Sequence, residues 1–179
     1  MELNTNKKTN YRWIVCGFLW VAVAVNYVDR TALSAATPII MKEFNIDGTE
    51  MGIIMAAFFW AYALLQVPMG YIADKFGQRI VYSIAVAWWS IAQMCIAVCS
   101  SLFGFVTARL FLGVGEAGSY PCNVGVVSKW FPKHERSRAT AIFDSASKFG
   151  NAFAMPVVVG LITMFTWHAP FLIFGAIGI

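Results

Sequence analysis

Asp29, Arg30, Arg109, Glu116 and Lys148 are ionisable side chains set inside long apolar runs, as in NYVDRTALS at 26–34 and RLFLGVGE at 109–116. A charge at the centre of a transmembrane helix costs about 2.5–3.5 kcal/mol on insertion scales, so such groups must face protein or water. Two guanidinium groups, always charged and able to hold a carboxylate through paired hydrogen bonds, point to an organic anion as ligand. Two carboxylates beside them, partly desolvated and next to arginines, can take and release protons. The chemistry expected is anion binding coupled to proton binding. The competing reading is structural: Asp29 pairs with Arg109, and Arg30 with Glu116, only to hold helices together, although apolar pairing would hold them at lower cost.

The elements that carry these groups follow from composition. Of 179 residues, 59% are hydrophobic and 12% charged, whereas soluble domains run near half and a quarter. The chain reads as an all-α membrane protein. A helix needs about 20 apolar residues to cross the hydrocarbon, and the charge-poor runs place spans at 13–41, 51–73, 80–98, 102–128 and 139–165. A sixth opens at 169 with Pro170 in its first turn; 169–179 is too short to cross, so the chain is expected to be truncated within helix six. Residues 1–12 form a polar lead, and 13–179 a single transmembrane bundle. A rise of about 1.5 Å per residue brings Asp29, Arg109, Glu116 and Lys148 all into the middle third of the bilayer.

Spacing assigns faces. Arg109 and Glu116, seven apart, lie within about 20° of each other round one helix. Tyr27 and Arg30 share a face, Tyr62 and Gln66 make a polar stripe on the second span, and Asp29 is turned about 100° from Arg30. A polar cavity among helices one, two, four and five would accommodate all of them.

Lys and Arg bias sets the orientation. Lys7, Lys8 and Arg12, then Lys75 and Arg79, then Lys129, Lys133, Arg136 and Arg138 mark three cytoplasmic segments, while KEFNIDGTE at 42–50 and the turns at 99–101 and 166–168 face outside. The net charge of +4 is thereby a product of topology, and nucleic-acid binding need not be invoked. No cleavable signal sequence is expected, since the first apolar run is too long.

Other chemistries lack support. Cys16, Cys95, Cys99 and Cys122 include no CxxC pair and have no nearby His, so they read as packing residues. GVGEAG at 113–118 matches GxGxxG in letters only, since it follows no strand; its glycines suit close helix approach. No nucleophile constellation, metal cluster or cofactor motif appears, and His134 and His168 fall in loops on opposite sides. An enzyme is not expected.

GYIADKFGQR at 70–79 resembles the loop signature of the major facilitator superfamily, and RLFLGVGE resembles that superfamily's fourth-helix arginine motif. With NYVDR on helix one, GEAGSYPCN on helix four and KWFPKHERSRATAIFDSAS leading into helix five, the chain is similar to the anion:cation symporters that include hexuronate, galactonate and glucarate carriers. The resemblance implies the amino-terminal half of a twelve-helix, alternating-access carrier in the inner membrane, lacking its carboxy-terminal half and not transporting by itself. It implies proton-coupling roles for Asp29 and Glu116. Substrate-binding roles fall to Arg30, Arg109, Tyr27, Tyr62 and Gln66, and to Ser147 and Lys148 on helix five, where several relatives carry Gln. A conformational role falls to Gly70, Asp74, Gly77 and Arg79 of the loop.

The partners implied are a small carboxylate, most simply a sugar acid, with protons and the lipid bilayer. Lys148 suggests a substrate with a second carboxylate or another polar end; equally, it could pair with Asp144 one turn away. KFGNAFAMPVVVG at 148–160 lacks the Gly-Pro antiporter signature, which argues against drug efflux. Two other readings stay open: a sodium-coupled or facilitated carboxylate or phosphate carrier, and a non-transporting half-transporter.

Overall fold

The structure, a computed structural model, describes residues 11–178. Seven helices follow one another: α1 (Tyr11–Phe44), α2 (Gly48–Phe76), α3 (Gln78–Ile96), α4 (Leu102–Glu116), α5 (Ser119–Trp130), α6 (Lys133–Met164) and α7 (Ala169–Ile177). Four of them, α1, α2, α3 and α6, are long and apolar enough to cross a membrane, and α4 with α5 makes a further pass. The chain is a multi-pass membrane protein. The polar lead expected at 1–12 lies mostly outside the described residues, as do Lys7 and Lys8.

Local chemistry explains most boundaries. Asp47 caps α2 by accepting from the Glu50 backbone N–H at 2.7 Å, while the Glu50 carboxylate accepts from the Asp47 N–H at 3.0 Å, a reciprocal capping box. α2 and α3 are joined by Gly77 alone, at φ +93°, a backbone state that side chains resist. Ser101 caps α4 through the Gly104 N–H at 3.2 Å.

Two expectations change. The single span at 102–128 is interrupted at Ala117 and Gly118, between α4 and α5. Pro121 is the cause: it has no N–H for the Ala117 carbonyl, and its ring crowds that carbonyl. α6 also begins at Lys133 rather than Ala139, so the stretch taken as a loop is helical and His134 lies in its first turn. Pro132, at φ −63° and ψ 154°, sets the start, and Glu135 in the first turn complements the helix dipole. The Arg12–Glu135 ion pair, at 3.1 Å, ties this turn to the beginning of α1.

Packing runs in pairs. α1 lies along α6 and α2 along α4, with α3 against α4 and α7. One apolar core, including Leu33, Ile40, Ile54, Phe58, Phe105 and Phe171, fills the half of the bundle farther from the basic connections. A smaller one, including Leu19, Val23, Val127, Phe131 and Phe143, fills the half nearer to them. Small residues let α4 wedge between its neighbours: a Cβ on Gly113 would stand 2.5 Å from the Phe58 carbonyl of α2, and one on Gly115 2.6 Å from Trp88 of α3. Large apolar side chains such as Phe18, Trp60, Leu64 and Val67 point outward, the arrangement a lipid solvent requires.

Candidate functional site

Arg30 and Glu116 meet between α1 and the end of α4. The guanidinium donates from Nε to Oε2 of Glu116 at 2.9 Å, and Nη2 stands 2.7 Å from the same oxygen as an ion pair. Glu116 is fully buried, whereas the Arg30 side chain keeps 20% of its surface exposed. One end of the pair is therefore sealed in protein and the other opens to the surface. Glu116 Oε1 has no hydrogen-bond partner.

Aromatic rings build the walls. The Arg30 guanidinium lies 5.1 Å from the Tyr27 ring centroid, 4.9 Å from Phe58 and 4.8 Å from Tyr62. Arg109 approaches the same Phe58 ring at 5.0 Å, so one aromatic face system serves two cations. Phe58 and Tyr62 stack at 5.8 Å, as residues one helical turn apart on α2 can. Tyr27, Tyr62 and Gln66 are all half-buried, and Tyr27 and Tyr62 form the accessible part of the site with Arg30.

Behind this wall lies a second group of polar side chains with few partners. Asp29 is 1% exposed and Arg109 3%, and neither oxygen of the Asp29 carboxyl, nor Nε or Nη1 of Arg109, has a hydrogen-bond partner. Among the described residues no ion pair within 4.0 Å joins Asp29 to Arg109, so of the two structural pairings considered only Arg30–Glu116 forms. Gln93 of α3 donates to the Asp29 carbonyl at 3.4 Å, and Asn26 donates to Ser119 at 3.1 Å, joining α1 to α5. Buried orphan groups of this kind are expected at functional centres.

Helix five of the sequence analysis, now α6, contributes differently from its neighbours. Ser147 is buried and donates to the Asp144 carbonyl of its own helix at 2.7 Å, which leaves its oxygen free only to accept. Lys148 is exposed, as is Asp144, and the pairing considered between them does not form.

The loop signature sits away from this centre. Asp74 accepts from Gln78 at 3.2 Å, and Gln78 in turn accepts from Lys129 of α5. Gly70 lies against Pro121, which a Cβ would meet at 3.5 Å. Asp74 and Arg79 themselves are exposed. Among the described residues no cluster of three His, Cys, Asp or Glu side chains could hold a metal ion.

Sequence reasoning missed Phe58, Gln93 and Gln78. Phe58 precedes Tyr62 by the same four residues that separate Tyr62 from Gln66, so the stripe could have been extended one turn. Gln93 is an amide inside a charge-free run, a weaker signal of the same kind as the charges.

Comparison with known proteins agrees with this architecture. The family model described as Major Facilitator Superfamily matches residues 19–179. The chain is 35% identical over 179 residues to the D-galactonate transporter of Escherichia coli O6:H1, covering 100% of this chain and 42% of that protein. It is 36% identical over 185 residues to the probable galactarate/D-glucarate transporter GarP of Escherichia coli K12, covering 96% of this chain and 40% of that one. The chain thus spans about 40% of the length of these curated relatives. A crystal structure of a bacterial homologue of the human lysosomal transporter Spinster, inward-facing and unoccupied, superposes with a TM-score of 0.85 at 22% identity, over 96% of this chain and 42% of that one, a likeness of fold. This chain belongs to the Major Facilitator Superfamily, whose members are transporters and not enzymes.

Proposed function

We propose that this chain forms the first half of a twelve-helix carrier that brings a sugar acid into the cell together with protons. The observation that carries the reading is the Arg30–Glu116 pair: a half-accessible guanidinium, walled by Tyr27, Phe58 and Tyr62, bonded to a carboxylate that is sealed in protein. The names of the relatives support sugar acids as the substrate class, and their length supports a second half that completes the cavity.

The pair also supplies a coupling device. While Glu116 is ionised it holds the Arg30 guanidinium on one oxygen, through the Nε hydrogen bond and the ion-pair contact of Nη2. A proton on Glu116 weakens that hold and frees the guanidinium to take a substrate carboxylate in paired geometry. Asp29, adjacent in sequence but buried behind the wall, is the second proton site, and Arg109 lies close enough to Phe58 to respond when Arg30 moves. Rocking of the two halves around this centre would expose it alternately to the two sides. The Lys and Arg bias of the connections that carry Arg79, Lys129 and Arg136 supports a cytoplasmic amino terminus for a carrier held in the inner membrane.

Reconstituted full-length carrier tests the reading. An inward proton gradient without sodium is expected to drive accumulation of labelled galactonate, and a protonophore to abolish it. Accumulation that requires a sodium gradient would overturn the coupling, and failure of sugar acids to enter at all would overturn the substrate class.

A further inference from the structure

Glu116 presents two different oxygens. Oε2 is held by the Arg30 guanidinium, which opens to the surface, so a proton leaving by that route must pass a fixed positive charge and then the bound substrate. Oε1 is buried with no partner, and so are several neutral polar groups that lie between Glu116 and the basic connections. Asn26 Oδ1, Asn123 Oδ1 and Nδ2, and the Tyr82 hydroxyl are all buried without a hydrogen bond. Each such group costs about 1–3 kcal/mol if nothing meets it, so their alignment in one column needs an explanation.

The column descends level by level. Asn26 of α1 donates at 3.1 Å to Ser119, which follows Glu116 at the start of α5. Asn123, four residues further on, shares a face of α5 with Ser119 and is fully buried. Tyr82 of α3 packs against the Ala73, Val81 and Cys122 cluster, and its hydroxyl comes close enough to the Asn123 side chain to interact without bonding it directly. Gln78, one turn nearer the basic end of α3, lies against α5, where a Cβ on Gly125 would stand 2.7 Å from its amide nitrogen. That amide donates to Asp74, which is exposed. Pro121 adds an acceptor near Ser119, since it leaves the Ala117 carbonyl without its helical donor. The steps from Glu116 to Ser119 and from Ser119 to Asn123 are about 4.5 and 6 Å along the axis, and one water making two hydrogen bonds of about 2.8 Å spans such a gap.

Resting on the reading of Glu116 as a proton-coupling site, we infer that Asn26, Ser119, Asn123 and Tyr82 form a water-bridged relay that carries the coupled proton from Glu116 to Gln78 and Asp74 at the basic end, behind the substrate site instead of through it. The Ser119 and Tyr82 hydroxyls can each accept one proton while giving one up, whereas the two asparagine amides orient the bridging waters. Glu116 gives its proton to the first water as that water passes one of its own onward, and the Asp74 carboxylate takes up the last. Glu116 is left ionised, so Arg30 closes on it again and lets the substrate carboxylate go. The charged side chains that border the column, Arg30, Asp29 and Arg109 around Glu116 and Lys129 at Gln78, stand at its two ends.

The test compares two rates in proteoliposomes of the full-length carrier: net galactonate uptake driven by an inward pH gradient, and exchange of labelled for unlabelled galactonate at equal pH, which needs no net proton release. Tyr82→Phe and Asn123→Leu are expected to slow net uptake at least about ten-fold while leaving exchange unchanged. Asn123→Ser, which keeps a hydroxyl and makes room for a water, is expected to retain most of the net uptake. Unchanged net uptake in both of the first two variants, an equal fall in uptake and exchange, or an Asn123→Ser as impaired as Asn123→Leu would overturn the relay and leave the role of Glu116 intact. A parent whose uptake ignores the pH gradient would overturn the coupling reading and the relay with it.

Discussion

Arg30 and Glu116, 86 positions apart in sequence, are joined at a single carboxylate oxygen, by a hydrogen bond from Nε at 2.9 Å and an ion-pair contact from Nη2 at 2.7 Å. The geometry is asymmetric, since Glu116 Oε1 is buried without a partner. The bond is therefore strong enough to hold Arg30 yet leaves the carboxyl an oxygen on which a proton can sit.

Glu116→Gln is expected to separate binding from coupling. The amide keeps the shape and an acceptor for Arg30 but cannot cycle a proton, so proton-driven accumulation by the full-length carrier should fall to background while substrate exchange across the membrane continues. Measuring both in one set of proteoliposomes decides the matter. Undiminished accumulation would leave the pair a purely structural one.

Arg30→Lys keeps the charge and loses the planar fork. Paired contact with a carboxylate is no longer possible, and the three aromatic contacts at 4.8 to 5.1 Å lose the flat group that stacks on them. Substrate affinity should drop by at least about ten-fold, as expected when a charge-assisted bidentate contact is reduced to one. Calorimetric titration with galactonate reads this directly, and affinity within two-fold of the parent would remove Arg30 from the binding site.

Gly113 and Gly115 are expected to be intolerant of any side chain. Gly113→Ala drives a methyl group to 2.5 Å from the Phe58 carbonyl and 2.9 Å from the Ala61 Cβ, and overpacking of this kind costs about 1–3 kcal/mol. Gly52→Ala is the control, since nothing stands within 4 Å of a Cβ there. Both changes share the helix-propensity gain of up to about 1 kcal/mol, so the difference in thermal midpoint isolates the clash. Equal midpoints would mean that α4 can move away from α2 freely.

Trp167 holds the turn between α6 and α7 to the end of α1. Its indole N–H donates to the Glu43 carboxylate at 2.7 Å, and its ring meets Phe44 and Phe171 edge-on at 6.0 Å each. Trp167→Phe should cost about 1–3 kcal/mol through the lost charge-assisted bond, and Trp167→Ala about 3–5 kcal/mol through the cavity as well. The order of the two midpoints in a thermal melt checks the account. A Phe variant as damaging as the Ala variant would show that the hydrogen bond, not the packing, dominates.

Asp47→Ala removes one side of the capping box at the start of α2. The expected loss is about 1 kcal/mol, confined to the first turn, and amide exchange at Gly48–Met51 should accelerate while the rest of α2 is unchanged. Uniform acceleration along the helix would instead indicate a global loss of stability.

The sequence alone determined which segments cross the membrane and which residues are out of place in them. Transfer energy belongs to each side chain, so a run from Ile80 to Ser128 interrupted only by Arg109 and Glu116 announces itself without any knowledge of its neighbours. The same locality makes Pro170 legible as a helix start. Pro121 is a local signal for the break at Ala117 that a reading from charge-free runs alone does not use. Helix ends were drawn too short because polarity was taken to end a helix, whereas Lys133–Arg138 continue one beyond the bilayer.

Tertiary structure alone decided the pairing. Periodicity gives the angle between two residues on one helix but not the rotation of that helix against another, so the sequence offers Asp29–Arg109 and Arg30–Glu116 together, and only the second forms within 4.0 Å among the described residues. The packing of α4 against α2, permitted by Gly113, brings both arginines to within about 5 Å of the Phe58 ring and leaves the Asp29 carboxyl buried without a partner, its backbone carbonyl bonded by Gln93 of α3. The pleat of no strand or the register of no repeat could announce that. It follows from how closely three particular helices can approach, a property of shapes that meet only once the chain has folded.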